Sequence, residues 1–143
     1  MVKNKIRIPQ AKYNPVLIQL ESMKNHYPHF KHIYNADGNL CFTGTVQPSL
    51  TMPVYKISIE YREEGMPRVR VIEPILVADP PHYHFSIDCL CLYKPENFNW
   101  TATKPISNYI VSWATAWLYF YEVWKEEKIW YGPEADHNTN TTK

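Results

Sequence analysis

The chain has 143 residues, of which 45% are apolar and 15% aromatic, and its formal net charge is +1. That length suits one domain with a real hydrophobic core, and the apolar share excludes an intrinsically disordered chain. Lys and Arg are scattered along the sequence, so no basic footprint for nucleic acid is present.

The opening Met1-Val2-Lys3-Asn4-Lys5-Ile6-Arg7 holds no apolar run of signal-peptide length, and three cysteines is an odd number. Free thiols in a reducing, cytoplasmic compartment are expected. The most apolar stretch, 106–124, is interrupted by Ser107, Asn108, Ser112, Thr115 and Glu122. It reads as a buried helix, and no membrane association is expected.

In chain order, the first dozen residues are basic and without period. Asn14-Pro15 then supplies an N-cap and a proline at the first helical position. Val16, Leu20, Met23 and Tyr27 follow at helical spacing, which predicts an amphipathic helix over 15–26, stopped by Pro28. After the turn signal Asp37-Gly38 the period changes to two. Leu40, Phe42, Gly44 and Val46 form one alternating set, Tyr55, Ile57, Ile59 and Tyr61 a second, and Val69 and Val71 a third. Three half-buried strands follow from this, joined as an antiparallel meander with a turn at Glu63-Glu64-Gly65. Pro48 and Pro53 bracket the first connection, and Pro74 ends the third strand because proline cannot donate to the ladder.

From Val77 to Trp100 the sequence is irregular and proline-rich, and a connection of that length inside one domain usually serves function. Lys104-Pro105 opens a second helix, on which Tyr109, Trp113, Ala116, Trp117, Phe120 and Trp124 recur at steps of three and four. That stripe is expected to cover one face of the sheet. Gly132-Pro133 marks its far limit. The domain is predicted over 1–132, and the polar tail 133–143 is expected to be disordered. Helix, antiparallel strands, long loop and helix together make an α+β fold with the helix packed on one sheet face.

The long connection carries Pro80-Pro81-His82-Tyr83-His84 and then Asp88-Cys89-Leu90-Cys91-Leu92-Tyr93-Lys94-Pro95. A cysteine between two leucines ordinarily reads as core, since free cysteine is among the most buried residues. At the end of a short strand entering a Pro/Asn-rich loop it can instead present its sulfur to a partner. Cys89 reads as structural, with a redox pair to Cys91 as its alternative, and Cys41 as core. His82, His84, Cys89 and Cys91 have the right atoms for tetrahedral zinc. Their one-residue gaps are shorter than structural zinc sites use, and neither metal nor cofactor is assigned.

These motifs resemble the ubiquitin-conjugating enzyme fold. Gly44 and Pro48, Tyr55, Gly65-Met66-Pro67, Leu90-Cys91-Leu92, Trp100 and Pro105-Ile106 stand in that family's order, with Pro80-Pro81-His82 in place of its His-Pro-Asn motif. The resemblance is closer to a bacterial branch encoded beside cyclic-oligonucleotide synthases in anti-phage signalling systems. Its signature is similar to His82-Tyr83-His84, Leu90-Cys91-Leu92-Tyr93-Lys94-Pro95, Trp100, Trp113-Ala114 and the run from Trp117 to Trp124, over about residues 30–131. Two departures stand out: Cys89 occupies the position two before the cysteine where such branches carry glycine, and no asparagine follows the histidine motif.

What the resemblance implies is a transferase that carries an acyl group as a thioester on Cys91 and yields it to an amine. Transthiolation requires a nucleophilic sulfur, room for a large partner and donors for the developing oxyanion. His82 and His84 would shape the loop by hydrogen bonding, Tyr93 and Trp100 would pack it, and Asn97 or Asn99 would stand in for the missing asparagine. The implied partner is the neighbouring cyclic-nucleotide synthase, as cargo or target, with an activating enzyme upstream, since the chain has no Gly-rich phosphate loop. A catalytically silent binding module of the same fold is the alternative, favoured by the two departures, and a small zinc-binding protein is a third reading.

Overall fold

The computed structural model describes residues 14–94 and 96–133, so the expectations for the basic first dozen residues and for most of the polar tail lie outside the described residues. The elements are α1 (Pro15–His26), β1 (Lys31–Tyr34), β2 (Leu40–Val46), β3 (Tyr55–Glu60), β4 (Arg68–Glu73), β5 (Tyr83–His84), β6 (Cys89–Leu90) and α2 (Ile106–Glu127). Helix, antiparallel sheet and helix give the expected α+β architecture, consistent with a ubiquitin-conjugating-type fold.

Helix α1 starts as its sequence predicts. Asn14 Oδ1 accepts from the N–H groups of Val16 and Leu17 at 3.0 and 3.1 Å, and Pro15 occupies the first turn. Two of the orphan donors of the first turn are thereby satisfied. At the other end the Tyr27 N–H closes on the Met23 carbonyl, ahead of Pro28.

The main sheet has four antiparallel strands in the order β1-β2-β3-β4, one more than the alternation predicts. β1 (Lys-His-Ile-Tyr) was not foreseen because it is an edge strand exposed at all four positions, so it shows no alternation of apolar and polar residues. The Asp37-Gly38 signal is the hairpin turn that joins it to β2, with Gly38 at φ 83° and Asn35 Oδ1 accepting from the N–H groups of Asp37 and Asn39. Register pairs Phe42 with Ile59, and Ile59 with Val69, so one face carries Leu40, Phe42, Tyr55, Ile57, Ile59 and Val69 into the core. At Gly44 the Phe30 ring lies so close that a Cβ would come within 2.6 Å of it.

The opposite sheet face is not simply polar. Cys41 is buried there beside Glu60, its register partner. Glu60 accepts hydrogen bonds from Asn35, Asn39 and Arg70 at 3.0, 2.8 and 3.1 Å. Burial raises the Glu60 carboxyl, but these three donors and the Arg70 charge outweigh it and hold the group below its ordinary range.

Helix α2 buries Ile106, Ile110, Val111, Ala114, Trp117, Leu118 and Tyr121. This corrects the expected packing face. Of the aromatic stripe, only Trp117 is buried; Ala116 is exposed, and Tyr109, Trp113, Phe120 and Trp124 are half-buried. The helix is apolar around most of its circumference, so two stripes satisfy the helical period, and spacing alone does not choose between them. The less bulky one meets the sheet; the aromatic one is left beside the connecting loop.

Gln19, fully buried on α1, starts α2. Its Oε1 accepts from the Ile106 N–H at 2.9 Å, while its Nε2 donates to the carbonyls of Lys104 and Ala102 at 2.7 and 3.3 Å. Pro105, at the N-cap, makes no side-chain cap bond, so a neighbouring helix supplies the partner.

Candidate functional site

The irregular connection contains the hairpin β5–β6, whose second strand is the short strand expected ahead of Cys91 and whose first strand the sequence did not signal. Tyr83 pairs with Leu90, and His84 with Cys89. Two-residue strands are too short for a period-two pattern to register. Tyr83 also donates its hydroxyl proton to Asp88 within the turn. From the sheet side, Arg70 Nη1 holds Glu60 at 3.1 Å, while its Nη2 donates to the Ile87 carbonyl at 3.2 Å. Strand β6, which carries Cys89 and leads into Cys91, is thus tied to β4 just before it begins.

Cys89, Leu90 and Cys91 are all buried; Cys91 is only 3% exposed. Its N–H donates to the His82 carbonyl at 3.0 Å, and the indole N–H of Trp117 donates to that same oxygen at 3.0 Å. His82 sits at φ 52°, a left-handed conformation that turns its carbonyl to meet both donors. The resemblance assigns the motif histidine a loop-shaping task by hydrogen bonding. The His82 carbonyl accepts both of these bonds, and its ring packs on Trp130 with centroids 5.0 Å apart.

Cys91 borders an open, mainly apolar cleft of about 350 Å³. Leu92, Tyr93, Lys94, Asn97 and Phe98 form one wall, and Trp113, Ala116, Trp117 and Phe120 of α2 form the other, with Trp130 and Pro133 at the end. The rings interlock: Phe98 lies 5.0 Å from Tyr93 and 4.9 Å from Trp113, and Trp117 lies 5.5 Å from Trp130. The aromatic face of α2 that does not meet the sheet is therefore the wall of this cleft. A shallower depression of about 580 Å³, reaching to Tyr27, His29 and Pro48, shares Ala116 and Phe120 with it.

Of the residues singled out in sequence, Cys91, Tyr93 and Asn97 line the cleft. His82 and His84 stand behind it in and beside the hairpin. Asn99 is exposed and outside it, with its carbonyl accepting from Lys104 Nζ. Trp100 packs against the core and near Phe98 at 6.3 Å. Phe98, Ala116, Phe120 and Trp130 also line the cleft; the α2 stripe carries Ala116 and Phe120 there, while no spacing signal links Phe98 and Trp130 to it.

Burial, and secondly the neighbouring Cys89, push the Cys91 thiol up to about 11. Cys89 is raised as well, by burial first, partly offset by Arg70, Arg68 and Arg62. Among the described residues, no group of three or more His, Cys, Asp or Glu is placed to hold a metal ion, so His82, His84, Cys89 and Cys91 do not form the zinc set that their ligand types allow.

A small α+β body with a cysteine at the head of an aromatic cleft, just beyond a histidine-bearing hairpin, is the arrangement that the motif order implies. The sequence matches the family described as Type II CBASS E2 protein over residues 19–138. The chain belongs to that family. No curated protein matches it. The match places this CBASS E2 protein among the components of an anti-phage system and makes it ubiquitin-conjugating-like in kind. No helix of the described part of the CBASS E2 protein is long and apolar enough to cross a membrane.

Proposed function

We propose that this CBASS E2 protein is a cysteine-dependent acyl transferase that carries the C-terminal acyl group of a partner protein as a thioester on Cys91. The partner we propose is the cyclic-nucleotide synthase of the same system. The Cys91 sulfur attacks the carbonyl carbon of a thioester already formed on an activating enzyme; the donor's sulfur leaves and takes the proton that Cys91 gives up. An amine of the acceptor then attacks the Cys91 thioester, an amide forms, and the thiol is restored.

One observation carries this reading: of the three cysteines, Cys91 is the one that borders the cleft. Cys41 and Cys89 are buried elsewhere. A thioester is an activated acyl group, so a thiol held well above neutrality suits attack on a delivered thioester better than attack on unactivated carbonyls.

The test is co-expression with the synthase, followed by mass spectrometry of adducts before and after reduction. Wild type and Cys89→Ala are expected to form a thiol-labile adduct that Cys91→Ala lacks. Equal adducts in all three would remove the proposal.

A second reading, a silent binding module, is favoured by the 3% exposure of Cys91. It predicts that Cys91 resists alkylation until denaturant is added, and that Cys91→Ala still protects cells against phage.

A further inference from the structure

Tyr93 has a side chain whose packing and polarity disagree. Its ring is locked between Phe98 and Trp113, with centroids at 5.0 and 5.4 Å, while its hydroxyl is buried without a hydrogen-bond partner among the described residues. Burying a hydroxyl without a partner costs on the order of 1–3 kcal/mol, which a phenylalanine at the same place would avoid. The ring contacts therefore explain an aromatic residue here but not a tyrosine. Tyr93 also lines the same cleft as Cys91, two residues away along the chain.

Three other polar groups of the cleft are less suited. The indole N–H groups of Trp117 and Trp130 are already directed at the carbonyls of His82 and Pro133. Asn97 is an exposed residue, so water competes for its amide. Burial pushes the Tyr93 phenol up to about 12, so it stays protonated and can donate throughout the neutral range.

Building on the thioester reading above, we propose that the Tyr93 hydroxyl is the oxyanion donor of this protein, in the place of the asparagine that its histidine motif lacks. When the Cys91 sulfur bonds to the carbonyl carbon of an incoming thioester, the carbonyl electron pair moves to oxygen, and the Tyr93 O–H donates a hydrogen bond to that oxyanion. The pair then returns, the donor's carbon–sulfur bond breaks, and the departing sulfur takes the proton lost by Cys91. Tyr93 keeps its own proton throughout. A donor already in place acts on the charge only as it develops.

The experiment uses the full chain and a glycyl-peptide α-thioester as acyl donor, with acylation of Cys91 followed by intact mass. Wild type should acylate and Cys91→Ala should not. Tyr93→Phe should acylate roughly a hundredfold to a thousandfold more slowly at saturating donor. Its half-saturating concentration, its rate of Cys91 alkylation by iodoacetamide and its melting temperature should not worsen. Replacing Tyr93 by a fluorinated tyrosine, a stronger donor of nearly the same shape, should raise the rate and covers the case in which Tyr93→Phe folds poorly. A Tyr93→Phe rate equal to wild type overturns the assignment while leaving Cys91 as carrier. Parallel loss of acylation and alkylation overturns it in favour of a purely structural role. Loss of rate in Asn97→Ala but not in Tyr93→Phe moves the role to Asn97. Failure of wild type to acylate removes the thioester reading itself.

Discussion

Trp117 and Cys91 are held by one atom: the indole N–H of Trp117 and the backbone N–H of Cys91 both donate to the His82 carbonyl, each at 3.0 Å. A side chain of the long helix thereby holds the cysteine segment through the backbone of the histidine hairpin. Trp117→Phe keeps much of the ring packing against Tyr121 but deletes that donor. The His82 carbonyl still has the Cys91 N–H, so the expected loss of stability is about 1 kcal/mol. The sharper readout is hydrogen exchange, in which the Cys91 amide of the variant should exchange faster than in wild type.

The Cys91 thiol should respond to pH as a buried group. With its pKa raised to about 11, it is neutral at pH 7 and only a small fraction is thiolate. In a Cys41→Ala, Cys89→Ala background, the alkylation rate should rise about tenfold per pH unit and show no plateau before pH 10. In denaturant the same thiol should level off above about pH 8.5, its ordinary value. Because the folded value is raised, the stabilisation is present below about pH 8.5 and is lost as pH rises through the folded value. Urea midpoints across pH 8 to 10.5 check this, and a midpoint that does not fall with pH would contradict it.

Gln19 serves three backbone groups at the start of α2, and it has no access to water. Gln19→Leu fills a similar volume but leaves the Ile106 N–H and two carbonyls without that partner. A loss of about 3 kcal/mol is expected. Chemical denaturation measures it, and fraying confined to the first turn of α2 should appear in amide exchange.

Gly44→Ala tests the close approach of Phe30. A methyl placed 2.6 Å from the ring forces Phe30 to move, and its ring is itself packed edge-on to Tyr27 and His29. The expected cost is about 1–3 kcal/mol, more than a surface substitution in a strand would give. Truncating the ring in the same chain, as Phe30→Leu with Gly44→Ala, should recover part of it.

What the sequence made legible follows from how strong each local signal is. The Asn14-Pro15 start and the Pro28 stop delimit α1 as drawn, because caps and prolines act within a few residues. β2, β3 and β4 emerged because one face of each is buried. β1 was silent because it is exposed at all four positions, and β5 because two residues carry no period. The face of α2 was misread for a physical reason: its bulkiest residues line a cleft, while Ile106, Ile110, Ala114 and Leu118 meet the sheet. Cys91 was legible from its motif, but its depth was not, and neither was the wall formed by Phe98, Phe120 and Trp130. Those residues meet only through tertiary packing, to which no spacing rule speaks.

Arg70 reaches across to Ile87, so the ribbon that ends in Cys91 hangs from the sheet at one point and from Trp117 at another. Between β4 and that hairpin, the chain from 74 to 81 has only its own anchors, chiefly the Val77 N–H on the Tyr121 hydroxyl at 2.7 Å. Both moorings lie downstream of this stretch, which is itself held by the buried Pro80 and by Leu76 packed against the core. The place of the Cys91 backbone is therefore set by two residues far from it in sequence, one on the sheet and one on the long helix.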